Sequence, residues 1–299
     1  MTDMSDQKSS IYRKYKTIPT RLSESEFNGF VLPHLSYATG GRGPKPAVCA
    51  YKIFNYVLYV LHSGCQWKLL QPCIDKDKNG VAEIHYTNVF RQFKKWCYDG
   101  SLEKLFEESV MRLQVNKMLD LSVLHGDGST TPAKKGGDNI GFNGHKHFKG
   151  EKVIAITDRH GNVISPYTMA PGNKNESPLF KSALVHLKKI TKAIGASITG
   201  SIMSLDGVYD SKANRKSIFN AGMTPNIPEN KRNRKKTKPG PKRQFNPAIF
   251  EERFFTVERM FSWEDKFRRA MIRFEHIAQH YFGIKLIAYS MINLRHFCK

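Results

Sequence analysis

Acidic residues are what this chain is short of. Its 299 residues carry 26 Asp and Glu against 48 Lys and Arg, a formal net charge of +22. That excess lies far beyond what solubility requires, and it calls for a polyanionic partner. Cysteine pairing is absent as well. Cys49, Cys65, Cys73, Cys97 and Cys298 are odd in number and include no CxxC pair. Neither a disulfide framework nor a zinc site is indicated, and reduced thiols in a cytosol are the simplest account. Long apolar runs are missing too: the most apolar stretches, 53–61 and 284–294, are too short to span a bilayer. The N-terminus is polar and mixed in charge, so no targeting segment, transmembrane span or membrane partner is expected. The basic residues are spread along the chain and interleaved with aromatics, which suits nucleic acid better than a lipid surface.

What is present is enough for a packed core. Hydrophobic residues make up 40% of the chain and aromatics 11%, and the length allows one large domain or two moderate ones. Residues 1–18 are polar and predict a loose arm. From Ser23 the pattern is helical: SESEF supplies an N-cap with acids in the first turn, and an apolar run follows at 27–35. GGRGPKP at 40–46 is a basic break. Val48, Tyr51, Ile53, Phe54, Val57, Leu58 and Leu61 then predict a buried helix over 47–62 that stops at Ser63-Gly64. CQWKLLQP at 65–72 is expected to be a short turn. The segment from 85 predicts two helices separated at Asp99-Gly100, with Arg91, Lys94 and Lys95 on the outer face and Trp67 and Trp96 packed inside. Helices joined by short turns with a basic face suit a helix-turn-helix-like DNA reader over 19–118.

At about residue 120 the pattern changes from helices to strands. LSVLHGDGS at 121–129 predicts a strand that ends at Asp127, with glycines giving close access to its carboxylate. TPAKKGGDNIGFNGHKHFKG at 131–150 is a basic, Gly-rich loop carrying Lys134, Lys135 and Lys146, not expected to form a packed element. His145 and His147 lie in it without a clear third metal ligand. KVIAITD and VISPYTM flank a turn at 159–162 as a hairpin. A helix is expected from 172 to about 193, a strand over 201–205 ending at Asp206, a helix over 211–219, and a strand over 223–227. A basic insertion follows at 229–247. The last predicted element is a single long amphipathic helix over 255–275, FTVERMFSWEDKFRRAMIRFE, with Glu258 in its first turns and Trp263 on its buried face.

Two aspartates at the ends of separate strands can lie side by side at a sheet edge, and a glutamate from a helix packed on the sheet can complete the cluster. Hard oxygen ligands of this kind suit Mg²⁺ or Mn²⁺, and like-charged acids held so close make sense mainly with cations between them. Asp158 and Asp210 compete for these roles, but Asp158 precedes a hairpin turn and Asp210 starts a helix, where capping explains it.

The order GDGST at 126–130, TDRHGNVISPYTMAPGNKNES at 157–177, LDGVYDS at 205–211 and VERMFSWEDKFRRAMIRFE at 257–275 resembles the DDE transposases of small bacterial insertion sequences, nearest the IS-five group. YVLYVLHSGCQWKLL at 56–70 and VFRQFKKWCYDGSLEKL at 89–105 resemble the helical domain that precedes the catalytic core in that group. The resemblance implies an α/β ribonuclease-H-like catalytic domain over 119–299, a mixed sheet flanked by helices. In it Asp127, Asp206 and Glu258 would hold two Mg²⁺ or Mn²⁺ ions. It also implies double-stranded DNA partners (the terminal inverted repeats of an element and its target), a homodimer or higher assembly on that DNA, and a bacterial cytoplasm with the nucleoid as location. The group often carries a Tyr, an Arg four positions before the Glu and a Lys seven after it. Here Phe250 stands at the Tyr position, Arg253 lies five before Glu258 and Lys266 eight after. A one-residue offset turns a helical side chain by about 100°. Arg259, Arg268 and Arg269 are alternative phosphate contacts; either the start of this helix is irregular and absorbs the offset, or this copy has weakened DNA contacts. A DNA-binding relative without chemistry, acting as a regulator, and a nuclease that does not join strands are the rival readings.

Overall fold

A computed structural model describes residues 16–37, 48–165, 169–230 and 243–298. The break at 40–46 and most of the arm and of the basic insertion therefore lie outside the described residues. The first part is helical. Helix α1 (Glu24–Phe30) starts at a capping box in which Ser23 and Glu26 satisfy each other's backbone N–H groups. Helix α2 (Ala50–Ser63) buries Phe54, Val57 and Leu58 and ends at Gly64, whose φ of 73° is left-handed. A Cβ there would stand 2.8 Å from that of Arg268, so the glycine serves both the turn and a close approach. Helices α3 (Tyr86–Tyr98) and α4 (Ser101–Val115) are separated at Asp99-Gly100, as the sequence predicts. The connection from α2 to α3 differs from expectation. Instead of a short turn it contains a 3₁₀ helix, Trp67–Cys73, because Trp67 is drawn in against Phe90 and Phe93 and Leu70 is fully buried. Trp96 is likewise buried, packed against Phe54.

The second part is a mixed sheet flanked by helices. Its path runs β2 (Gly141–Asn143), β3 (Phe148–Thr157), β1 (Val123–Pro132), β6 (Ile202–Leu205), β7 (Thr224–Asn226). Strands β4 (Val163–Ser165) and β5 (Ala170–Pro171) also pair with β3. Strand β1 is antiparallel to β3 and parallel to β6, and β6 is parallel to β7. Helix α5 (Glu176–Ala193) packs on β3 and β4. Helix α6 (Lys212–Phe219) connects the parallel strands β6 and β7. Two expectations need correction here. Strand β1 does not end near Asp127 but continues to Pro132, because Gly128 to Pro132 remain paired with β3. For the same reason part of the basic segment 131–150 is built into β1, β2 and β3 and is not simply a loop.

The long helix expected over 255–275 is also corrected. The chain runs through α7 (Pro247–Glu251), a 3₁₀ turn (Glu252–Phe255), α8 (Val257–Glu264) and α9 (Arg268–Met271). Thr256, at φ −123° and ψ −95°, leaves helical geometry between the 3₁₀ turn and α8. Beyond α9, Arg273 is drawn to the sheet: its backbone N–H donates to the Pro132 carbonyl, and its fully buried guanidinium pairs with Glu151 and Asp138. A helix cannot continue through a residue pinned this way. The apolar period survived the breaks because Val257, Met260, Phe267 and Ala270 reach the same core from two short helices.

Helix α10 (Ala278–Leu294) is buried on nearly every side and packs against α3, α4, α8 and β4. Several of its polar groups are paired: Lys285 contacts Glu264, and the Tyr289 hydroxyl donates to the second Glu264 oxygen at 2.9 Å, whereas buried His280 Nε2 has no hydrogen-bond partner among the described residues. Asn293 accepts from the Val163 N–H and donates to the Val163 carbonyl, both at 2.9 Å, and reaches Ser109 Oγ at 3.1 Å. One asparagine thus ties the sheet to the N-terminal helices. Among the described residues no helix is long and apolar enough to cross a membrane. Asn293→Leu keeps the branched outline, in a larger side chain, but strands two buried backbone groups of Val163, each worth about 1–3 kcal/mol. Urea unfolding is expected to show a loss of about 3 kcal/mol. A loss within about 0.5 kcal/mol would mean that the asparagine holds nothing of consequence.

Candidate active site

The site is set by where the parallel pairing of β1 and β6 stops. Gly126 opposite Leu205 is its last pair, and the next residues on the two strands are Asp127 and Asp206. The two carboxylates therefore leave the sheet as neighbours. Asp127 Oδ1 accepts from the Gly128 N–H at 2.8 Å, and Asp206 Oδ1 accepts from the Gly207 N–H at 2.6 Å while capping the 3₁₀ turn Gly207–Tyr209. Between them stands Arg253. Its guanidinium lies 3.0 Å from Asp127 Oδ2 and 3.9 Å from Asp206 Oδ1. Its residue is only 6% exposed, and the Phe250 ring lies beneath its charge at 5.0 Å.

The 3₁₀ turn that carries Arg253 is itself held in place. Glu252 accepts two bonds from Arg159, at 2.9 and 2.6 Å, and approaches buried His125 on β1 at 3.5 Å. Burial pushes the His125 imidazole down to about 4, so it is neutral near pH 7. Burial pushes the Asp127 carboxyl up to about 6; Arg253 pulls against this, and the Glu176 and Asp206 carboxylates add to it. Arg253 therefore offsets only part of the cost of burying the Asp127 charge.

Glu258 lies in the first turn of α8, half-buried, on a helix packed against β1 and β3. It makes no side-chain bond with Asp127 or Asp206, and among the described residues no three His, Cys, Asp or Glu side chains are close enough to hold an ion as placed. Asp127 and Asp206 are brought together; Glu258 is placed on a neighbouring element. Of the competing acids, Asp158 organises the β3–β4 turn, accepting from the backbone N–H groups of Asp120, His160 and Asn162. Asp210 is not a helix cap, contrary to expectation. Ser211 caps α6, while Asp210 pairs with Arg215 at 2.8 Å and Arg243 at 2.5 Å.

The basic residues singled out for DNA have different surroundings. Arg91, Lys95, Lys134, Lys135, Lys146 and Lys266 are exposed, and Lys94 lies over the Phe90 ring at 5.3 Å. Arg259 lies over the Phe255 ring at 5.3 Å. Arg269 is buried, pairing with Glu275 at 2.7 Å and donating to the Cys65 carbonyl at 3.2 Å. Arg253 faces the two aspartates because the break at Thr256 uncouples it from the helix of Glu258. The one-residue offset therefore says little about where it points.

One neighbour of the site carried no sign in the sequence. Glu176 opens α5 and looks there like an ordinary first-turn acid after the Asn175 cap. Its carboxylate lies against β1 beside Asp127: a Cβ on Gly128 would stand 2.8 Å from Glu176 Oε2 and 3.0 Å from the Tyr209 hydroxyl. Lys152 pairs with the same carboxylate at 3.2 Å.

With this geometry in place, similarity to known proteins becomes informative. Residues 119–291, more than half of the chain, match the transposase DDE domain. No curated protein matches the chain. Among solved structures it is similar to the piggyBac transposase synaptic complex with hairpin DNA, at 10% identity and TM-score 0.44 over 91% of this chain and 68% of that one. The Mos1 mariner catalytic domain matches at 14% identity and TM-score 0.27, over 67% of this chain and 90% of that one. Against Mos1 transposase in its paired-end complex the match has 12% identity and TM-score 0.27, and it spans 64% of this chain but only 61% of that one. Likeness at these scores is too slight to carry the fold, which rests on the strand order above.

The raised Asp127 carboxyl has a measurable consequence. In metal-free protein its contribution to stability is full below the unfolded value of about 3.9 and is lost as pH rises through about 6. Asp127→Asn never pays that cost. Thermal or urea unfolding is expected to show the variant gaining on the parent as pH rises from 4 to 7, and a difference that stays flat would place the carboxyl in the ordinary range.

Proposed function

We propose that this chain, which belongs to the transposase DDE domain family, is the transposase of an insertion sequence that cuts DNA at the element's ends and joins the freed 3′-hydroxyl to target DNA. The observation that carries the proposal is the pair Asp127 and Asp206, set side by side where β1 and β6 part and short of compensating positive charge. The insertion-sequence assignment, nearest the IS-five group, rests on the order and context of the motifs around Asp127, Asp206 and Glu258.

The residues present fit a pair of divalent cations, Mg²⁺ or Mn²⁺. All the candidate donors are carboxylate oxygens, and Asp127 holds its negative charge only at a cost until more positive charge arrives. Mos1 catalytic domain has been solved with Mg and with Mn. Asp127 and Asp206 would hold these ions together with Glu258, which stands on α8, a helix packed against β1 and β3. Such ions supply Lewis acidity, activating the attacking oxygen and stabilising the leaving one in an in-line displacement at phosphorus. The protein supplies the rest. Arg253 keeps the two aspartates together and is free to turn to a phosphate once they are otherwise neutralised. The Glu252–Arg159 pair fixes the turn from which it reaches. The exposed bases Arg91 and Lys95 on α3, and Lys134, Lys135 and Lys146 around β2, offer phosphate contacts to double-stranded DNA, with Arg259 and Lys266 close to the acids in sequence. The helices of 19–118 would bind the terminal inverted repeats and the 119–299 part would carry the chemistry, as a homodimer or higher assembly on DNA.

With Mg²⁺ or Mn²⁺, purified protein is expected to nick DNA bearing its own element ends and to give strand-transfer products. Asp127→Asn, Asp206→Asn and Glu258→Gln are each expected to lower cleavage by at least about a thousandfold, on the scale of losing an essential electrostatic group. DNA binding in filter assays should stay near the parent level. Cleavage retained by all three variants would remove these acids from the chemistry. Cutting without joined products would leave a nuclease, and salt-sensitive binding without cutting would leave a regulator.

A further inference from the structure

Four groups converge on one short strip of β1. Gly128 follows Asp127, and its missing side chain leaves bare backbone between the Asp127 carboxylate and helix α5. Into that gap comes Glu176, whose Oε2 lies 2.8 Å from where a Cβ of Gly128 would stand. The Tyr209 hydroxyl comes in from the turn after Asp206, 3.0 Å from the same point. Tyr209 is fully buried, and its hydroxyl has no hydrogen-bond partner among the described residues. A buried phenol without a partner is costly unless something else completes it, such as a ligand or a water held by one. Lys152 closes the far side: 8% exposed, it pairs with Glu176 and donates to the Lys174 carbonyl at 2.9 Å.

We propose that Glu176 is an additional carboxylate of the active site, sharing with Asp127 the divalent cation that the transposase reading requires, with Tyr209 donating to that shell and Lys152 as its countercharge in the metal-free protein. The inference rests on that reading of Asp127. It differs in taking a ligand from α5, whose first-turn Glu176 lies against Gly128 next to Asp127. The plain alternative is that Glu176 and Lys152 only fasten α5 to β3.

Mn²⁺ binding to the full chain, followed by the electron paramagnetic resonance signal of the free ion, separates the two. Glu176→Gln is expected to weaken Mn²⁺ binding by about tenfold or more, as loss of a metal-shell group does. Lys152→Met, which frees the carboxylate from a competing cation, is expected to tighten it. Asp127→Asn serves as the reference and should weaken it most. Glu176→Gln binding within twofold of the parent, with only its metal-free melting temperature lowered, would overturn the proposal in favour of the fastening role. Should Glu176→Gln fail to fold, unchanged or weaker binding in Lys152→Met would overturn it in the same way. If Asp127→Asn also binds as the parent does, the acid site itself fails; if Asp127→Asn weakens and Glu176→Gln does not, only Glu176 is removed from it.

Discussion

Two negative charges that leave neighbouring strands at the same level repel each other, and the rest of the site is arranged around that repulsion. Asp127 is held by its pairing with β3, and Asp206 follows the last residue of β6 and caps the 3₁₀ turn, so neither carboxylate moves away freely. In a half-buried setting the repulsion is felt strongly, and some cation must answer it. Arg253 is the answer the chain supplies from itself. Burial nevertheless makes Asp127 hold its proton more tightly than a carboxyl in water, and Arg253 offsets only part of this. A guanidinium on a short 3₁₀ turn can be outcompeted by small divalent ions, whereas a charge built into the sheet could not.

That turn is stabilised from outside the acid pair. Glu252 anchors it to Arg159 at the β3–β4 turn, and the same turn is ordered by Asp158, whose carboxylate is consumed by backbone N–H groups. Further from the site, α10 joins the sheet to the N-terminal helices through Asn293 and through a core shared by both parts. The helices that would grip DNA and the sheet that would cut it therefore do not move freely of each other, and strain applied to one is felt in the other.

Much of the fold was legible in the residues. The apolar run in KVIAITD, the 3.6-residue repeat of α2 and α5, and Gly64, Gly100 and Gly161 at turns each acted locally, and each came out where its pattern placed it. The acid pair was legible because both aspartates follow apolar β-runs and precede glycine. What was not legible depended on contacts distant in sequence. Strand β1 outran its apolar segment because β3 offered partners for Thr130 and Thr131. The supposed helix over 255–275 stopped short of its expected end where Arg273 was claimed by Glu151, 122 residues earlier in the chain. Glu176 was hidden by its own plausibility as a first-turn acid, a role that needs no further explanation.

The break at Thr256 reaches beyond this molecule. Arg253 and Glu258 belong to two short segments that meet at one non-helical residue, so the interval between them is not tied to a helical repeat. Evolution can lengthen or shorten that interval by a residue while each side chain keeps its aim. A rule that demands a constant count between the arginine and the glutamate would pass over chains of this kind.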